Sequence, residues 1–225
     1  MKILIVADEE SLSLWDYYTP GKLAEYDLIL SGGDLKAEYL SFLVTMARCP
    51  LMYVHGNHDD SYAVTPPEGC DSIDGKLIVY KGLRILGLGG SYRYSRGAHQ
   101  YSERQMEKRI CKLKRAVRAV GGVDIVLTHA APRGVGDWED HSHRGFEAFL
   151  NLIDSYHPQY LLHGHVHMNY GHNIQREWEY QGTKVINCCQ KYEIDVDLAG
   201  NSAPVSPLKQ RLCRLLVKEL EFIDG

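Results

Sequence analysis

Short apolar runs alternate along this chain with longer stretches in which apolar side chains recur at helical spacing. KILIVA opens the chain as a strand, and LMYVH, VDIVLTH, YLLHGH and TKVINCC read as further strands. KLIVY and LRILGLGG, separated by Lys81 and Gly82, read as a hairpin or two sequential strands. Leu35, Leu40, Leu43, Val44 and Ala47 predict a helix over 35–47. The clearest helix is 103–120, where Met106, Ile110, Leu113, Val117 and Val120 make one stripe. Phe146, Phe149, Leu150 and Ile153 predict another, ended by His157-Pro158. Near-continuous apolar strands alternating with amphipathic helices argue an α/β fold whose sheets are covered by helices. Ligands in such folds commonly gather at one end of the strands. AGNSAPVSP (199–207) reads as a linker, and Leu208, Leu212, Leu215, Leu216 and Leu220 predict a C-terminal helix packed on the body. The expected organisation is thus one domain over 1–198, followed by a linker and helix over 199–225.

The composition narrows the functional classes. A chain of 225 residues fits one domain with a sizeable core, or two small ones. The net charge of -4 gives no global attraction to nucleic acid or to an anionic membrane. The basic stretch EKRICKLKRAVR (107–118) wraps an apolar stripe and reads as the solvated face of a helix. No apolar run reaches the roughly 18 residues of a membrane span. The N-terminus carries no basic region and no cleavage site, so the expected location is cytoplasmic. None of the six cysteines sits in a C-x-x-C pair, and free thiols are expected in a reducing compartment.

Candidate chemistry gathers where apolar runs end. The first strand stops at Asp8, Glu9 and Glu10, and buried carboxylates need cations, water or protons. In an extended segment residues two apart point the same way, so Asp8 and Glu10 share a side and Glu9 faces away. His165 and His167 share a side by the same geometry. SGGD (31–34), HGNHDD (55–60) and THAAP (128–132) are further turn-prone stretches after apolar runs. Together they offer carboxylates, imidazoles and one carboxamide, a donor set that suits Mn, Fe, Zn or Mg rather than a thiolate site.

SGGD, GNHD, a later strand-end His and GHVH, in this order, resemble the motifs of the calcineurin-like metallophosphoesterases, which open with D-x-H. The resemblance spans Asp8 to His167. It implies a four-layer αββα sandwich with two divalent metal ions at the strand ends, manganese being the expected metal and iron, zinc or magnesium the alternatives. The first would take Asp8, Glu10, Asp34 and His167. The second would take Asp34, Asn57, His129 and His165, with Asp34 bridging. A hydroxide between the metals would attack phosphorus in line, and His58, held by Asp59, would serve as general acid or orient the phosphate. The departure is Glu10, which stands where the family has the histidine of D-x-H. A carboxylate there favours an oxygen-loving ion and a weaker first site, or Glu10 turns to solvent and only the second site fills well.

Outside these motifs, His55 and His163 read as groups that fix backbone geometry around the site, and Asp60 as a loop cap. GGSYRYSRGAHQYSE (89–103) is either an ordinary surface loop or a wall of the substrate cleft. In the second case Arg93 or His99 meets phosphate, and Tyr92 or Tyr94 stacks on an organic group. Asp137, His141, His143 and Arg144 line the same cleft or belong to a helix-capping loop. The expected activity is hydrolysis of a phosphomonoester or phosphodiester of a small phosphorylated substrate. A non-catalytic scaffold of the same fold is the alternative, and a nuclease is disfavoured by the acidic balance. The sequence specifies neither the substrate nor the oligomeric state.

Overall fold

The computed structural model describes residues 1–168, 175–197 and 217–223. One sheet runs in the order β13 (Tyr192–Asp195), β1 (Lys2–Val6), β2 (Leu28–Ser31), β3 (Leu51–Tyr53) and β4 (Asp71–Ser72). The second runs β11 (Glu177–Tyr180), β12 (Thr183–Asn187), β10 (Tyr160–His163), β9 (Ile125–Thr128), β6 (Leu83–Leu88), β5 (Leu77–Tyr80) and β14 (Leu220–Ile223). A small ribbon pairs β7 (Ser91–Tyr92) with β8 (Gln100–Tyr101). The helices are α1 (Ala37–Met46), α2 (Glu103–Val120) and α3 (Glu147–Tyr156).

Alternation along each strand builds the layers. Ile3, Ile5, Leu28, Leu30 and Met52 of the first sheet meet Ile85, Ile125, Leu127, Leu162 and Ile186 of the second in a core between the sheets. The intervening Leu4, Val6, Ile29 and Leu51 turn outward onto Tyr39, Leu40 and Leu43 of α1. On the far side Leu86, Leu88, Val126, Leu161 and Val185 pack against Met106, Ile110, Leu113 and Val117 of α2 and Phe149 and Ile153 of α3. The result is the expected αββα sandwich. Central strands such as β1, β2, β6 and β9 are buried on both faces because each face is covered, and each buried apolar side chain contributes roughly 1.5–3 kcal/mol. The helix over 103–120 forms as its stripe predicts. Ser102 and Gln105 close a capping box at its start, and Gly121 (φ 81°) ends it in the left-handed conformation.

Strands β1, β2 and β3 are parallel, as are β6, β9, β10 and β12. Their carboxyl ends therefore gather the loops that bear the polar motifs. Of the two expected arrangements, strands β5 and β6 take the hairpin, turning at Lys81 and Gly82. One expectation needs correction: Leu220 is not in a helix. It opens β14, which adds to the second sheet parallel to β5, where backbone pairing with Leu77–Tyr80 replaces a helical stripe. The expected linker and the rest of that helix lie outside the described residues. Among the described residues, no helix is long and apolar enough to cross a membrane, and Cys49, Cys70, Cys111, Cys188 and Cys189 are free thiols.

Candidate metal centre

The loops after β1, β2, β3, β9 and β10 bring donors from across the sequence to one edge of the sandwich. His129, just past β9, is fully buried. Its Nδ1–H donates to the Gly32 carbonyl at 2.8 Å, which aims Nε2 at two oxygens. Asn57 Oδ1 lies 2.9 Å from that nitrogen and Asp34 Oδ2 3.3 Å from it. Asn57 in turn donates through Nδ2 to the Tyr94 hydroxyl at 3.1 Å. His165 stands beside them, its ring centroid 4.7 Å from that of His129. Its Nε2–H donates to the Ser142 carbonyl at 2.8 Å, which leaves Nδ1 as the lone pair. One ligand atom from each of Asp34, His129 and His165 lies within 4.8 Å of the others.

This arrangement fits a cation. An imidazole lone pair facing two oxygens is repulsive unless a positive charge sits between them. Two donors on one ion at about 2.1 Å stand about 3.0 to 3.4 Å apart, close to the separations around His129 Nε2. In the metal-free chain a proton takes that place. Burial pulls the His129 pKa down, but Asp34, through charge and hydrogen bond, and the Asp8 charge outweigh it and raise the group to about 9. For Asp34, burial pushes upward, yet His129 and the His58 N–H bring the carboxyl below its ordinary range. Burial, reinforced by the His129 charge, holds His165 well below the ordinary imidazole range.

Asp8 lies between this group and its neighbour. Both of its oxygens accept the His165 backbone N–H, at 2.9 and 3.0 Å. Burial, partly offset by His129 and reinforced by Asp34, raises its pKa to about 6. The backbone makes these contacts by leaving the extended form: Asp8 (φ 64°), Asp34 (φ 56°) and His165 (φ 68°) are all left-handed. Such conformations are costly for non-glycine residues and persist where the surroundings enforce them. Gly56 is required by close approach, because a side-chain carbon there would run into the Asp34 carboxylate.

Those left-handed residues overturn the expectation that residues two apart share a side. Glu9, not Glu10, reaches His167, whose Nδ1 lies 3.1 Å from Glu9 Oε1. Glu10 sits 3.6 Å from Lys36 Nζ instead. Cys189, just past β12, completes a second cluster in which single ligand atoms of Glu9, His167 and Cys189 lie within 4.8 Å of one another. Burial, with Asp8 and Glu9 adding to it, raises the Cys189 thiol to about 12, so without a cation it is protonated. Glu9 and Cys189 escaped the sequence reading. Cys189 had a usable signal, since it follows the TKVIN strand as the other donors follow theirs. Glu9 had none beyond its place in an acidic run.

The remaining expected residues divide. His58 is exposed where a short 3₁₀ turn (Asp59–Ala63) begins, and its N–H donates to Asp34 Oδ1 at 2.8 Å. Asp59 does not hold the His58 ring. It is buried, and its Oδ2 accepts the backbone N–H groups of Gly56 at 2.7 Å and Asp34 at 2.9 Å, fixing both turns. His143 is brought in, its ring 4.9 Å from His165 and its Nδ1 2.7 Å from Asp140. Arg93 is occupied with its own loop, donating to the Gln100 carbonyl and to Gln105 Oε1 at 3.0 Å. Tyr92 packs on Phe146 and lies beneath the Arg144 guanidinium, 4.8 Å away. His99 stacks on His55 with centroids 4.6 Å apart and planes 6° apart. His55 Nδ1 lies 3.5 Å from Asp74, which also pairs with Arg109. The stack joins the 89–101 loop to the GNHD turn, and one ligand atom from each of His55, Asp74 and His99 lies within 4.8 Å of the others. His163 is buried with Nδ1–H on the Gly164 carbonyl at 2.9 Å.

The structure is similar to the crystal structure of TT1561 of Thermus thermophilus, with a TM-score of 0.53 and 16% identity over 84% of this chain and 88% of that one. It also aligns with the Thermus thermophilus sulfate thiohydrolase SoxB, at a TM-score of 0.38 and 14% identity over 72% of this chain and 33% of that one. In sequence, 92 residues are 39% identical to the UPF0046 protein T07D4.2 of Caenorhabditis elegans, covering 38% of this chain. The match spans only 22% of that relative's length. A model of the calcineurin-like phosphoesterase superfamily domain matches residues 1–188, which takes in Asp34, His129 and His165 together with Glu9 and His167 and ends one residue before Cys189. On that match, the chain belongs to the calcineurin-like phosphoesterase superfamily.

Proposed function

We propose that this chain is a metal-dependent phosphoesterase that hydrolyses a phosphomonoester or phosphodiester of a small molecule at a two-cation centre. The observation that carries the reading is the convergence of Asp34 Oδ2 and Asn57 Oδ1 on His129 Nε2, in a chain whose family is built around metal-dependent phosphoester hydrolysis. Asp34, Asn57, His129 and His165 would hold one cation through oxygen and nitrogen donors alone, which suits Mn²⁺, with Fe²⁺, Zn²⁺ or Mg²⁺ as alternatives. Asp8 and His167 would serve the other. Divalent cations at these positions supply neutralisation of the phosphate charge and activation of water.

The protein's own residues do the rest. The Gly32 and Ser142 carbonyls fix the tautomers of His129 and His165. Asp59 holds the Gly56 and Asp34 backbones so that donor geometry is set before substrate arrives. His58 is exposed, with its backbone N–H on Asp34, and its imidazole would give a proton to the leaving oxygen. His143, whose ring lies 4.9 Å from that of His165, would meet substrate along the same edge.

The test is metal-free protein reloaded separately with Mn²⁺, Fe²⁺, Zn²⁺ and Mg²⁺ and assayed on an aryl phosphomonoester and a bis-aryl phosphodiester. Turnover that depends on metal and disappears in Asn57→Ala is expected. Stoichiometric metal binding without hydrolysis of either ester would favour the scaffold reading instead.

A further inference from the structure

We propose that the first cation site is a mixed-donor site in which the Cys189 thiolate joins the His167 imidazole and the Glu9 carboxylate, taking a borderline-soft divalent cation such as Zn²⁺, Co²⁺ or Fe²⁺. This inference rests on the metal-dependent reading above. It departs from the donor set that the motifs suggest, which contains no sulfur.

Three segments far apart in sequence supply the donors, and one ligand atom of each lies within 4.8 Å of the other two. The placement of Cys189 is built into the fold. A bridge pairs Ala7 with Cys189, and the Gln190 N–H donates to the Ala7 carbonyl at 2.7 Å. The Cys189 backbone is thereby held beside the strand that delivers Asp8 and Glu9. The backbone N–H of Met168, the residue after His167, hydrogen-bonds to the sulfur, and such a donor favours a thiolate. The separation of 3.1 Å between His167 Nδ1 and Glu9 Oε1 matches the roughly 3.0 to 3.4 Å expected for two ligands of one small cation.

Cys188 provides the contrast. It belongs to the apolar core between the sheets, and its S–H lies 3.5 Å from the Ile186 carbonyl. Cys189 is equally buried but belongs to none of the apolar clusters among the described residues. It faces carboxylates and an imidazole, a setting that hydrophobic packing does not explain. Glu10, the residue expected at this site, is drawn off by Lys36. Binding would break the Cys189 S–H bond and form a sulfur–metal bond, with the proton passing to solvent. A thiolate ligand also moves the preference of this site away from Mg²⁺ and Mn²⁺.

The experiment titrates the metal-free full chain with Co²⁺ and follows its absorption. A near-ultraviolet sulfur-to-cobalt charge-transfer band is expected, persisting in Cys188→Ala and lost in Cys189→Ser. Zn²⁺ affinity at this site should fall in Cys189→Ser by at least the roughly tenfold cost of losing an outer-shell partner. X-ray absorption on the zinc-loaded wild-type protein needs no variant and should show one sulfur neighbour at about 2.3 Å. Cobalt bound without the band, or a band that survives in Cys189→Ser, overturns the inference. If such protein still hydrolyses aryl phosphates, the phosphoesterase reading stands without it. A chain that binds no cobalt overturns both.

Discussion

The two donor groups differ in how firmly the fold holds them. Around His129 the side chains are buried, and each histidine's other ring nitrogen is tied to a backbone carbonyl. Around His167 only Cys189 is fully buried; the side chains of Glu9 and His167 are 40% and 31% exposed. The first arrangement is assembled before a cation arrives, so little ordering remains to oppose binding. In the second, a bound ion would have to settle two partly solvated side chains. On the proposed reading, one chain would combine a tight, oxygen- and nitrogen-lined position with an open position whose metal would exchange more readily.

The largest expected effect comes from breaking the rigid group. Asn57→Ala removes an oxygen donor and leaves His129 Nε2 facing Asp34 alone. Bound metal should fall, and turnover should drop by orders of magnitude. His58→Ala should also cut turnover, by the roughly 10²–10⁴-fold typical of a general acid, but with metal content unchanged by elemental analysis. Equal metal loss in the two variants would remove His58 from the role assigned to it.

A pH experiment sharpens the comparison, because without metal the rigid group depends on a proton. The folded-state pKa of His129, about 9, lies above its ordinary 6.5. Its stabilising proton is therefore fully effective below about pH 6.5 and is lost as pH rises through 9. Asp8, raised from 3.8 to about 6, acts in the same direction, and its ionisation costs stability as pH rises through 6. Metal-free protein should accordingly unfold more easily in alkali, with His129 contributing at most about 3 kcal/mol. A bound cation replaces the proton, so metal-loaded protein should lack this loss. The gap in melting temperature between the two forms should widen from pH 6 to pH 10. A constant gap would show that His129 and the cation do not share a place.

Much of this was legible in the sequence, for identifiable reasons. Strands such as Ile3–Val6 are covered on both faces, and α2 has an unbroken stripe, so their patterns are strong. Asp34, Asn57, His129 and His165 each end a parallel strand, and parallel strands bring their ends together. What escaped depends on backbone conformation or on distant pairing. The choice between Glu9 and Glu10 is made by the left-handed turn at Asp8, which the pattern of apolar residues does not encode. Leu220 continues a leucine-rich spacing but joins β5 through backbone hydrogen bonds that its spacing does not reveal. Cys189 reads as one more apolar residue at a strand end until Ala7 is placed beside it.

The smallest expected effect tests the open group, and its force lies in the contrast between neighbours. Glu9→Gln keeps the size of the side chain but removes the charge beside His167, so Zn²⁺ affinity at that position should weaken by roughly tenfold or more. Glu10→Gln removes the same charge one residue further on, where its partner is Lys36, a largely exposed lysine 3.6 Å away. An exposed ion pair contributes about 0–1 kcal/mol. Glu10→Gln should therefore leave metal affinity and turnover unchanged and shift stability by less than about 1 kcal/mol. Zinc competition titrations on the two variants decide the matter. If Glu10→Gln weakens metal binding and Glu9→Gln does not, the turn at Asp8 places the opposite carboxylate at the metal, and the residues that hold the open site must be reassigned.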